Sequence, residues 1–348
     1  MRTGGISTYS QSYALRLSLQ RSQGEMAIAQ GELASGQVAD VSRTLGSRAG
    51  QYIAIEARMK SLESIAEANA LVGARLEAAD LALEGLNTNM QRMQEILINT
   101  RNGSAPAYVA VEQTAQLISD MTTKLNSTFD GNYLFSGVNT QHPALKDILD
   151  PAGPAQTAIE ASFVAAFGFG RNDPAVGAIS PAAMSNWLEN GFAALFDSPN
   201  WLANWSGASA EAGEVPIDEN QRIKTGATMN EPALRKLTMA YIITSSLGAD
   251  KVPAETLNLM VDKSIGLLGE ATIGVNAIRA TLGSASNKVE AATESMKKQK
   301  DLFALAAGQM VNKDPYELSL RISDLSARLE ASFSVTARMK ALSLVKYL

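Results

Sequence analysis

Residues 62–97 read LESIAEANALVGARLEAADLALEGLNTNMQRMQEIL. Leu62, Ile65, Asn69, Val72, Leu76, Ala79, Leu83, Leu86, Met90, Met93 and Leu97 alternate at spacings of three and four. A stripe with a 3.5-residue period is the seam of a left-handed coiled coil or a long helical bundle, because it keeps one apolar face turned toward a partner. Tyr52, Ile55 and Met59 extend the stripe backwards, with one 3,3 step at Leu62. Asn102-Gly103 and Pro106 break it, and a second helix is expected from Val109 to about Phe129.

The same pattern returns near the C-terminus. Val261, Ile265, Leu268, Thr272 and Val275 hold the spacing, and after a second 3,3 step Ile278, Leu282, Ala285, Val289, Ala292 and Met296 resume it. It continues through Phe303, Ala306 and Met310 to Asp314-Pro315, beyond which Leu318, Ile322, Leu325 and Leu329 mark a last helix. Neither stripe can be buried on its own, so the two flanks are expected to pack on each other. The core seam residues are Leu62, Leu76, Leu83, Leu86, Met90, Ile265, Leu268, Ile278 and Leu282.

Between the flanks the composition changes. Eight of the 11 prolines fall from Pro143 to Pro232, as do Trp187, Trp201, Trp205 and five of nine phenylalanines. Residues 139–232 hold 11 acids and 4 bases, net −7, against −5 for the whole chain of 348 residues. The fold class that follows is mainly α: a long antiparallel bundle of paired flanks, a short β-hairpin and a small inserted domain of mixed α/β character. The expected divisions are 1–44 with 311–348 as terminal assembly helices, 45–138 with 233–310 as the rod, and 139–232 as the insert. The insert should be dispensable for folding of the flanks.

Both ends look built for association. The first 44 residues are rich in Ser, Gln and Gly, and form a helix too weakly apolar to be ordered alone. Residues 342–348, LSLVKYL, form an apolar edge that marks an interface. The candidate assembly residues are Leu17, Leu33, Leu325, Leu329, Met339, Leu342, Val345 and Leu348. Removing 342–348 should block assembly without melting the monomer.

Chemistry is poorly supported. There is no cysteine, which excludes disulfides, thiolate catalysis and zinc fingers. His142, the only histidine, lies beside Pro143 with no acid–base partner set. Gly168 and Gly170 lack the third glycine and the lysine of a phosphate loop. Glu211, Glu214, Asp218 and Glu219 do not follow a calcium-loop pattern. Lys297, Lys298 and Lys300 read as a solvated helix face, and Met90, Met93 and Met296 as seam filler. The acidic balance argues against nucleic-acid binding, no apolar run is long enough for a membrane span, and no cleavable signal peptide precedes the first helix. The expectation is a protein that is not an enzyme and carries no cofactor or metal. A surface-ligand module built on the insert tryptophans is weaker than their use as core.

Asp130-Gly131 is the strongest turn signal, closing a helix and opening Tyr133-Leu134-Phe135, which Gly137 ends. These residues carry a family likeness. The chain resembles bacterial flagellins, and within them the hook–filament junction type, hook-associated protein 3. The matching stretches are Glu32-Leu33-Ala34-Ser35-Gly36, with Asn69-Ala70 and Ala82-Leu83 in the helix beyond; FDGNYLFSG at 129–137; LGSASNKVE at 282–290; and ASFSVTARMKALSLVKYL at 331–348. Two small departures are Lys288 where the family has Arg, and Leu-Ala-Ser-Gly for its Leu-Ser-Ser-Gly. The likeness covers both flanks but not the insert. It implies a structural subunit whose terminal helices line an inner tube and whose insert faces outward. It also implies an extracellular location on the flagellum, reached through the flagellar type III apparatus. The implied partners are copies of itself, the neighbouring hook-associated protein, flagellin and an export chaperone. A filament flagellin would share every feature of the flanks.

Overall fold

The structure, a computed structural model, describes the backbone of residues 8–345 and the side chains of residue 10 and of 13–338. It is mostly helical, with two small antiparallel strand pairs. Two compact units can be distinguished, one from residues 1–64 and 296–348, the other from 65–295.

In the second unit the seams meet. Helix α3 (Ala49–Arg101) begins in the first unit and ends here, and α9 (Ala254–Val311) runs back through both. Within 65–295, Asn69 Nδ2 donates to Thr293 Oγ1 at 3.2 Å, Arg279 holds Asp80, Asn87 Nδ2 donates to Asn276 Oδ1 at 2.9 Å, and Arg101 holds Asp262. Partners that climb α3 descend α9, so the pair is antiparallel. Leu76, Leu83, Leu86, Met90, Leu268 and Leu282 are buried, as the heptads require. Ile265 and Ile278, also expected in the seam, are half-buried. Ser264 and Ala271 take the buried positions instead, because α9 must face a second helix as well. That helix is α8 (Pro232–Ser246), whose Thr244 meets Ser264 and whose Ala233 lies against Gly274. A side chain at Gly274 would collide with Ala233, so the glycine permits the close approach.

Helix α4 (Ala107–Leu125) packs on α8 and reaches α3 through Thr114 and Met93. It stops at Leu125, short of the expected Phe129. Asn126 ends it by exchanging two hydrogen bonds with the Leu145 backbone, at 2.8 and 2.9 Å. The chain then enters the hairpin of β1 (Thr128–Phe129) and β2 (Asn132–Tyr133). Asp130 at φ 50° and Gly131 at φ 73° give the two left-handed residues of a twist-matched two-residue turn. The strand ends at Tyr133, so Leu134 and Phe135 are buried beyond the hairpin rather than in it.

The middle segment holds α5 (Pro154–Phe167), α6 (Pro181–Trp187), α7 (Ser198–Asn204) and the ribbon of β3 (Glu214–Pro216) with β4 (Arg222–Lys224). Its core is aromatic. Phe163, Trp187, Phe192, Phe196, Trp205 and Trp201 contact one another in that order, ring centres 4.5–5.5 Å apart until Trp205 and Trp201, stacked at 6.0 Å. All three tryptophans are buried, and each indole N–H has an acceptor: Ser162 Oγ, Asn230 Oδ1 and the Leu195 carbonyl. The tryptophans are core.

The first unit pairs α1 (Thr8–Ser35) with α10 (Pro315–Val345). The weakly apolar N-terminal segment is a helix here because α10 offers it Leu318, Leu325 and Leu329. Gly36, at φ 71°, ends α1. The Glu32 carboxylate reaches past the turn to accept the Ala39 N–H at 3.0 Å. The chain then pairs with the bend between α9 and α10, Val38 N–H to Val311 carbonyl and Lys313 N–H to Gly36 carbonyl, both 2.9 Å. Asp40 caps α2 (Val41–Leu45) by accepting from the Arg43 N–H. Val38, Leu45 and Val311 form the buried knot beneath, with Tyr52 and Met310 packed on it.

Candidate assembly interface

An assembly surface in a subunit must satisfy two conditions: its supporting helices must be held from behind, and its apolar side chains must face outward. The first unit satisfies both. Its inner face is held by Leu318, Leu325, Leu329, Leu62 and the Val38–Leu45–Val311 knot. Outward it exposes Tyr13, Leu17, Ile28 and Leu33 on α1, Leu302 and Leu305 on α9, and Tyr316, Leu320, Phe333 and Val335 on α10. Residues 1–64 and 296–348 are about a third of the chain, yet among the described residues they carry more than half of the exposed large apolar side chains. Isolated exposed apolar residues are ordinary, but a concentration on paired helices is the mark of an interface. On α9 a cleft of about 700 Å³ lies between Asp301 and Asn312, with Gly308 in its floor.

The candidate assembly residues divide between these two roles. Leu17 and Leu33 are exposed, whereas Leu325 and Leu329 are buried and hold α10 in place. The side chains of Met339, Leu342 and Val345, and the whole of Leu348, lie outside the described residues. Expectations for the 342–348 tip lie there too.

The hairpin signature is a rigid corner. Gly131 supplies the turn, Tyr133 is half-buried, and Leu134 and Phe135 pack inward. Gly137 sits at φ 64° with Ser209 Oγ and the Glu211 carbonyl where a Cβ would be, so no other residue fits. Ser209 Oγ also accepts the Val138 N–H at 2.9 Å, tying the corner to the middle segment.

Lys300 holds Glu63 at 2.7 Å and keeps its carboxyl below the usual range; Lys263 does the same for Glu189. Among the described residues no three His, Asp or Glu side chains are arranged to hold a metal ion. No described helix is long and apolar enough to cross a membrane. A cleft of about 1090 Å³ holds Arg171, which is already bonded to Glu160, Gln156 and the Ser246 carbonyl. His142 is exposed on its loop.

Two residues that sequence reasoning passed over now stand out. Asn230 organises the base of the middle segment, accepting from Trp201 and donating to the Ala208 and Ser209 carbonyls. No sequence pattern marks it. Arg75 on α3 is half-buried, and its signal was legible: its helical neighbours three and four residues away are Leu71, Val72, Ala78 and Ala79.

Comparison with known proteins finds matches at the two ends of the chain. Residues 6–140 match the family model for the bacterial flagellin N-terminal helical region, and residues 265–348 match that for the bacterial flagellin C-terminal helical region. No curated protein matches the chain. Among solved structures, one described as a flagellar hook-associated protein from Vibrio parahaemolyticus is similar in fold, with a TM-score of 0.51 at 12% identity. The match covers 76% of this chain and 97% of that one. With both terminal regions matched around an unmatched middle, the chain belongs to the bacterial flagellin family.

Proposed function

We propose that this protein is a structural subunit of the bacterial flagellum, placed at the junction between hook and filament, and joined to its neighbours through α1 and α10. The observation that carries the reading is the apolar outer surface of that helix pair, from Tyr13, Leu17 and Leu33 to Phe333 and Val335. The junction position is favoured by the hairpin corner, where FDGNYLFSG at 129–137 resembles the signature of the junction type. On this reading its partners are copies of itself, the adjoining hook-associated protein and flagellin. An export chaperone would guard the apolar ends before passage through the type III apparatus, and the assembled protein is extracellular. No catalytic step is part of this role.

The test is electron microscopy of a deletion strain with immunogold labelling of the complemented strain. The expected result is bare hooks in the deletion, flagellin released to the medium, and label confined to one band at the hook's distal end. Label along the whole filament would make the protein a filament flagellin. Normal filaments in the deletion would overturn the structural role at the junction.

A further inference from the structure

Two Asn-Gly pairs occur in the chain, at 102–103 and 190–191. An asparagine followed by glycine is an especially labile amide, because no Cβ shields the glycine nitrogen from the side-chain carbonyl carbon. Whether either pair reacts depends on its conformational freedom. Asn102 and Gly103 form the turn beyond α3, and both are exposed, as is Ser104. The Asn102 side chain makes no hydrogen bond with any described residue. Gly103 sits at φ 69° with open space around it. Its N–H is held by the Thr100 carbonyl at 3.1 Å, at a helix end, where fraying opens such bonds without disturbing the core.

The second pair is locked. Asn190 is exposed too, but its Nδ2 donates to the Asn186 carbonyl at 3.0 Å and to Asn186 Oδ1 at 2.9 Å. Gly191 lies inside the helical turn Leu188–Phe192 and against the Trp187 ring, where a Cβ would come within 2.6 Å of Cδ1. Trp187 is itself buried and tied to Ser162. Ring closure needs the asparagine ψ to swing far from its helical value, and here that swing would unwind a segment packed into the aromatic core.

We propose that Asn102 is a site of spontaneous deamidation in the folded protein, which converts the turn after α3 to aspartate and isoaspartate and loosens that end of α3 from α9. Hydroxide takes the Gly103 amide proton, and the nitrogen attacks Asn102 Cγ. The new N–C bond forms as the Cγ–Nδ2 bond breaks, and ammonia leaves with a proton from water, which regenerates hydroxide. Water then opens the cyclic imide. Opening at Cγ gives aspartate, and opening at the main-chain carbonyl gives isoaspartate. The net change is one water consumed and one ammonia released, with no oxidation or reduction.

The product carries a carboxylate at the negative end of α3, where the last carbonyls lack intrahelical partners. Its neighbour Arg101 holds Asp262 of α9 through Nε at 2.5 Å and Nη2 at 3.0 Å, and the new carboxylate competes for that guanidinium. Isoaspartate also adds a methylene to the main chain, which displaces the Ser104 N–H from the Asn99 carbonyl it now meets at 2.9 Å. None of this depends on the flagellar role.

The purified full chain is incubated in warm, mildly alkaline buffer, with and without denaturant, and its peptides are mapped by mass spectrometry with isoaspartate detection. In the folded chain residue 102 should convert at least about tenfold faster than residue 190, and in denaturant the two rates should come within about twofold of each other. Equal rates in the folded chain overturn the site, as does a folded Asn102 that stays intact while the denatured chain converts. Amide exchange at residues 97–101 and 258–262 should be at least about threefold faster in the aged chain and in Asn102→Asp than in fresh chain, and unchanged in Asn102→Gln aged alongside. An aged chain that exchanges like a fresh one overturns the loosening, and so does an equal change in aged Asn102→Gln.

Discussion

Arg279 grips Asp80 with both arms of its guanidinium, Nε to Oδ1 at 2.7 Å and Nη2 to Oδ2 at 2.9 Å, joining residues 199 positions apart. Glu84, one turn further along α3, adds a third oxygen at 3.6 Å. The pair sits at the edge of the α3–α9 seam, about a third exposed, so water and salt weaken it. A double-mutant cycle of Asp80→Asn and Arg279→Gln should give a coupling of about 0.5–1 kcal/mol, shrinking in ~1 M salt. A coupling indistinguishable from zero at low salt would reduce the clamp to a surface contact.

One substitution at two places on α3 tests the seam. Leu86 is fully buried and Leu81 is 61% exposed. Leu86→Asp removes roughly 2 kcal/mol of burial and adds the desolvation of a carboxylate, so it should destabilise by more than about 4 kcal/mol. Leu81→Asp should change stability by less than about 0.5 kcal/mol. Denaturant melts of the two variants check this, and equal midpoints would contradict the seam.

Two glycines with left-handed backbone should respond differently to alanine. Gly36 at φ 71° has open space around its Cα hydrogen, so Gly36→Ala should cost about 1 kcal/mol of conformational strain alone. Gly137 at φ 64° is blocked by Ser209 and the Glu211 backbone, and Gly137→Ala should cost about 3 kcal/mol or more. Hydrogen exchange should show the second loss centred on residues 134–138 and 206–211.

Tyr241 is wholly buried on α8, and its hydroxyl has no hydrogen-bond partner. Burial, with a smaller contribution from Asp120, holds that hydroxyl well above the usual tyrosine value. The unfolded chain releases the proton near pH 10, while the folded chain keeps it. Stability is therefore intact below about pH 10 and falls as the pH rises further, since deprotonation favours the unfolded state. Tyr241→Phe should be neutral or slightly stabilising at pH 7 and should flatten the alkaline loss. An unchanged alkaline slope in a thermal melt series would assign the loss elsewhere.

The middle segment provides the last prediction. Replacing residues 145–220 with a short Gly-Ser linker should leave a helical protein with a cooperative melt, but a less stable one. Asn69 would lose the Ile217 carbonyl, Thr256 the Ile179 carbonyl, and Asn126 its exchange with Leu145. At about 1–3 kcal/mol for each buried polar group left unpaired, the deletion should cost several kcal/mol. Adding Asn69→Leu should recover part of that. Loss of most helical circular dichroism would show that the bundle cannot fold without the segment.

By itself the sequence determined the helical rods, the turn at Asp130-Gly131 and the aromatic character of the middle segment. Each is a local property: a 3.5-residue stripe, two residues that tolerate positive φ, a cluster of large rings that needs a core. Tertiary structure decided the rest, through groups distant in the chain. Helix α1 forms against α10, not from its own composition. Helix α4 ends early because Asn126 meets Leu145, and Ile265 yields its buried place to Ser264 because α8 lies alongside. Arg75 could be seen in the sequence as a cation among apolar neighbours, but not as one without a counter-ion. Whether a charge is compensated depends on every carboxylate that folding brings within a few ångströms, and no spacing along one helix contains that information.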